Sequence, residues 1–174
     1  MKNYLLKTQS LLVYALIAVC IALFVLYLGF MTQYYSLFYD GTMETFDYYK
    51  LLQVFNKEAF SLSLIFIALG LVLLMFGLHK YRPGLFGLIA VFIATVYMSL
   101  NSITILQVLP KYKNAYLALD FSSMEDYVPS TFVFDAGLVL QSIMIVLSVL
   151  FAIVAVMTFV QRLKEGKPLV RKLI

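Results

Sequence analysis

Apolar positions along this chain gather into four long runs that charge never enters. Thr8–Tyr39 holds 32 residues without Asp, Glu, Lys or Arg, Ala59–Leu78 holds 20, Pro83–Pro110 holds 28 and Ala136–Gln161 holds 26. A helix rises 1.5 Å per residue, so about 20 apolar residues cross roughly 30 Å of hydrocarbon. Each run therefore predicts one transmembrane helix, over residues 11–31, 59–78, 85–107 and 136–160. Polar and apolar positions do not alternate within the runs, which argues against the strands of a membrane barrel. The expected fold is an all-α integral membrane protein: a four-transmembrane-helix bundle forming one domain over residues 1–174.

The links between spans differ in length. Residues 79–84, His79-Lys80-Tyr81-Arg82-Pro83-Gly84, read as a tight basic turn that makes spans two and three a hairpin. Residues 32–58 and 108–135 are long enough for local structure. In the first, Asp40-Gly41 signals a turn, and Thr42 or Thr45 can cap a helix to about Asn56 that lies along the membrane surface. In the second, Ser122 with Glu125, or Ser123 with Asp126, fits a capping box ended by Pro129, and Asp135 can cap the fourth span.

Charge converts this plan into an orientation. Lys2, Lys7, Lys80, Arg82, Arg162, Lys164, Lys167, Arg171 and Lys172 fall on one side, opposed only by Glu165. The other side carries eight acidic residues against Lys50, Lys57, Lys111 and Lys113. Basic flanks stay in the cytoplasm, which puts both termini inside and the longer loops outside. The net charge of +4 is thus a topology signal and implies no nucleic-acid partner. The basic tail, residues 161–174, is expected to meet anionic lipid or a cytoplasmic subunit. Composition agrees: 63% hydrophobic and 13% charged, against roughly 45–50% and about 25% for soluble domains. The first apolar run is too long for a signal-peptide core, so a retained helix with Cys20 packed inside it is expected.

Candidate chemistry is sparse. No predicted span carries an ionisable residue in its interior, which argues against an ion or proton path through this chain alone. One His and one Cys leave no metal pair and no internal disulfide, and no phosphate loop or catalytic motif appears. No cofactor, metal site or enzymatic activity is expected. Tyr97, Asn101 and Thr104 share a helical face of span three and, with Gln141 of span four, could line a polar cavity. Gly84, Gly87, Ala90 and Ala94 form a small-residue row suited to close helix packing. Tyr34, Tyr35, Tyr39, Tyr48 and Tyr49 in the first outer link, with Tyr112, Tyr116 and Tyr127 in the second, suggest a partner surface.

Taken together, these features lead to the expectation of a non-enzymatic accessory or assembly subunit of a larger complex, a transporter foremost. Its partners are the lipid bilayer and other membrane subunits, in a plasma membrane of bacterial type. The alternative expectation is a small-molecule carrier using a cavity between spans three and four.

Overall fold

Each uncharged run winds into a helix, and among the described residues every helix continues past its uncharged stretch into charged sequence at one end or more. The computed structural model describes residues 2–30, 43–77, 84–122 and 128–165. These residues contain four helices and no strand: α1 (Lys2–Phe30), α2 (Met43–Gly77), α3 (Leu85–Leu117) and α4 (Phe132–Lys164). All four are long and apolar enough to cross a membrane, which makes this a multi-pass membrane protein. We call the end bearing Glu44, Asp47, Asp120 and Asp135 the acidic end, and the end bearing Lys7, Arg162 and Lys164 the basic end.

The structure departs from the sequence expectation at the helix ends. Residues 43–56 do not form a separate surface helix; they are the first part of α2, a continuous 35-residue rod about 52 Å long. Lys57 and Glu58 end the apolar run, yet both are good helix formers, and neither Gly nor Pro interrupts. Glu44 in the first turn also faces the favourable end of the dipole. α3 likewise runs beyond Gln107 and through Pro110 to Leu117. An internal proline costs about 3 kcal/mol, and contacts from Tyr112, Lys113 and Tyr116 to neighbouring helices hold the continuation in place. Asp135 does not precede α4 as a cap but lies in its first turn. Thr131 occupies the N-cap position, and its hydroxyl donates to Asp135 Oδ2 at 2.9 Å. The turn residues 79–83, the Ser123–Asp126 capping box and the tail from Gly166 onward lie outside the described residues.

The helices form an antiparallel ring in which α1 packs on α2 and α4, and α3 packs on α4, while α2 and α3 meet more sparsely. Buried positions recur at alternating steps of three and four. In α1 they are Gln9, Val13, Leu16, Cys20, Leu23 and Tyr27; in α4 the same rhythm runs from Phe134 and Gly137 to Thr158 and Arg162. A seven-residue repeat of this kind belongs to left-handed packing, with side chains of one helix seated between those of the next. Small residues permit the closest approaches. Gly70 faces Ile17 and Cys20 of α1, and Gly137 faces Leu109 of α3 and Tyr27 of α1.

Candidate functional site

At the acidic end the extended parts of α2 and α3, with the start of α4, close around an aromatic cluster. The Tyr116 ring lies 6.0 Å from Tyr48, 5.2 Å from Phe121 and 5.6 Å from Phe134, and Phe55 lies 4.8 Å from Tyr112. Such tilted pairs contribute about 0.5–1.5 kcal/mol each beyond area burial. Polar bonds fix the cluster: Tyr48 Oη donates to the Tyr112 carbonyl at 2.9 Å, and the Ser130 N–H donates to Tyr116 Oη at 3.2 Å. Lys113 Nζ meets Asp135 Oδ1 at 2.6 Å and ties α3 to α4. Below Leu117, the Ser122 hydroxyl and backbone N–H hold the Asp120 carboxyl below its ordinary range.

This places the tyrosines expected at a partner surface. Tyr48 and Tyr116 are buried and Tyr49 and Tyr112 half-buried, so their rings join helices of this chain to one another. Tyr34, Tyr35, Tyr39 and Tyr127 lie outside the described residues. What the extension turns outward is a different face of α2. Met43, Leu51 and Val54 are 74%, 62% and 59% exposed, interleaved with exposed Asp47 and Lys50. The Lys50 ammonium stands 4.2 Å over the Phe46 ring.

The four residues expected to line a polar cavity are not brought together. Tyr97 and Thr104 are exposed on the lipid side of α3 and Asn101 is half-buried. Asn101 Nδ2 donates to the Tyr97 carbonyl at 2.9 Å, and Thr104 Oγ1 to the Leu100 carbonyl at 3.1 Å, so their polar groups are satisfied within their own helix. Gln141 is buried elsewhere, its Nε2 donating to Tyr27 Oη at 3.1 Å. Helices α3 and α4 do enclose an open groove of about 430 Å³, with Thr95, Val96, Ser99, Ser148, Val149 and Ile153 among its lining. Its accessible walls are apolar. Of the small-residue row, Gly87 and Ala94 are buried while Gly84 and Ala90 are half-buried.

Polar contacts that the sequence reading missed lie along the bundle interior. Thr158 Oγ1 donates to Gln9 Oε1 at 2.9 Å near the basic end, and the Cys20 thiol donates to the Phe66 carbonyl at 3.5 Å near the middle. The signal that could have marked Thr158 as inward-facing is the spacing of small and polar residues in α4, Gly137, Gln141, Ser148, Ala155 and Thr158; no comparable signal marks the Cys20–Phe66 contact. Among the described residues no three His, Cys, Asp or Glu side chains gather as metal ligands. Comparison with known proteins returns no match to a family model, a curated protein or a solved structure.

Proposed function

We propose that the protein is a non-enzymatic subunit of a larger membrane assembly, a transporter foremost, and that it engages its partner through the acidic-end extension. The observation that carries this reading is the outward face of α2. Residues 43–58 carry the helix roughly 24 Å past Ala59, and Met43, Leu51 and Val54 stay exposed there among charged neighbours. An apolar row rimmed by charge outside the hydrocarbon is the composition of a protein contact. The orientation follows from charge: a basic end retained in the cytoplasm of a bacterial plasma membrane puts both termini inside and the extension outside. The partner is then a membrane protein with an apolar, polar-rimmed extracytoplasmic surface. The basic tail adds a contact to anionic lipid or a cytoplasmic subunit.

Gentle extraction tests this reading. In a mild detergent the chain is expected to elute with a mass well above its own 19.8 kDa plus micelle, and Leu51→Glu with Val54→Glu is expected to release it. A chain that runs alone under every gentle condition overturns it.

The α3–α4 groove supports a second reading, a membrane carrier. Because its accessible walls are apolar, the cargo would be apolar too, and Ser99→Trp, which fills the groove, should abolish uptake.

A further inference from the structure

Helical hydroxyls in this chain follow a common habit. Thr8, Ser10, Ser63, Thr95, Thr104 and Ser142 each donate to a carbonyl three or four residues back in their own helix. Ser102 and Ser148 depart from it. Both are wholly buried, and neither Oγ has a hydrogen-bond partner. Gln141, 1% exposed, adds a third such oxygen: its Nε2 donates to Tyr27, but its Oε1 has no donor. Turning the amide over would only exchange the orphaned oxygen for an orphaned nitrogen.

These groups belong to one region. The antiparallel register of α3 and α4 is fixed by Leu109 against Gly137 and by Lys113 with Asp135. Seven residues from Leu109 towards the basic end comes Ser102; seven residues from Gly137 in the same direction comes Met144. Ser102 therefore lies level with Met144, about one helical turn from Gln141. Ser148 lies one turn further on. Tyr27 of α1, 2% exposed, completes the group through its bond to Gln141.

A buried oxygen left without a partner costs about 1–3 kcal/mol, and the lipid around the bundle offers no donor. Two such atoms about one turn apart, Ser102 Oγ and Gln141 Oε1, call for one shared partner that both donates and accepts. Water does this, typically through about three hydrogen bonds. We propose that Ser102, Gln141 and Tyr27 form an internal water-binding site at the meeting of α1, α3 and α4. The water donates to Gln141 Oε1, exchanges a hydrogen bond with the Ser102 hydroxyl and accepts a hydrogen bond from the Tyr27 hydroxyl. Ser148 continues the polar seam towards the basic end. The site does not depend on the subunit reading.

X-ray hydroxyl-radical footprinting of the intact protein in ¹⁸O-labelled water tests it, because radicals formed from a bound water mark the side chains beside it. Met144 and Leu73 are both 0% exposed, but only Met144 lies at the proposed site. With rates normalised to intrinsic reactivity, Met144 and Tyr27 are expected to incorporate label several-fold faster than Leu73. Ser102→Ala is expected to lose most of the excess at Met144. Labelling of Met144 and Tyr27 at the Leu73 level overturns the site, as does an excess unchanged in Ser102→Ala. Should that variant misfold, the wild-type comparison decides alone.

Discussion

The hydroxyl of Tyr48 donates to the carbonyl of Tyr112 across 2.9 Å and joins α2 to α3, the two ring neighbours that otherwise touch least. The bond sits inside the aromatic cluster rather than at its rim, with Tyr48 only 7% exposed. Removing the hydroxyl alone leaves the ring in place and deletes the bond to the Tyr112 carbonyl. Tyr48→Phe is expected to cost about 1 kcal/mol, a fall in Tm of about 2–4 °C for a chain of this size. Tyr48→Ala removes the ring as well and should cost about 3–5 kcal/mol. The chain has no Trp, so helix loss followed by circular dichroism in micelles is the suitable measurement. The buried Cys20 thiol, which becomes reactive only when the bundle opens, gives an independent one.

Gly137 of α4 packs directly against the Leu109 side chain of α3. A Cβ at residue 137 would stand 2.8 Å from Leu109 Cδ2, too close for either side chain to remain where it is. Gly137→Ala should therefore destabilise by about 1–3 kcal/mol through overpacking. The neighbour is the end of a flexible side chain, so Leu109→Ala in the same chain should recover part of that loss. A double variant no better than the sum of its parts would place the clash elsewhere.

How much of this was legible in the sequence depends on which force was writing. Charge wrote the spans, and the four apolar runs all became helices because a charge in hydrocarbon is expensive. The helix ends were not legible, since Lys57 and Glu58 end a membrane segment without ending a helix. Nor was the inward face of each helix. In lipid the outward face is as apolar as the inward one, so hydrophobic periodicity loses its contrast. Ile93 is exposed and Val91 buried on the same helix with nearly the same chemistry. Tyr27 and Gln141 lie 114 residues apart, and no local pattern pairs them. For Tyr48, Tyr49, Tyr112 and Tyr116 the sequence showed an aromatic concentration, but whether these four faced a partner or one another depended on how far α2 and α3 ran.

Asn101 illustrates the difference between a polar residue and a polar site. Its amide bonds back to Tyr97 within α3 and its side chain lies at the bundle surface. Asn101→Leu should accordingly change stability by no more than about 0.5 kcal/mol. Gln141→Leu breaks the bond to Tyr27 in the core and should cost about 1–3 kcal/mol. Thermal unfolding of the two variants side by side checks the contrast, and a reversed order would contradict the placement of both residues.

The continuity of α2 fixes a distance. Leu51 and Leu71 are both exposed and lie on the same rod, 20 residues apart. Spin labels at these positions should be separated by about 30 Å with a narrow distribution. A helix that bent at Lys57 to lie along the membrane surface would bring them to about 23 Å by the same rise per residue.

The central proposal is that the exposed face of the α2 extension is covered by another protein. A photoreactive phenylalanine analogue at Leu51 or Val54, irradiated in intact membranes, tests this most directly, with Leu64 on the lipid-facing part of the same helix as the control. The expected result is a discrete protein adduct of the same size from positions 51 and 54, lost when the other position carries Glu, and none from position 64. Bare monomer at positions 51 and 54, or adducts indistinguishable from those at 64, would contradict it.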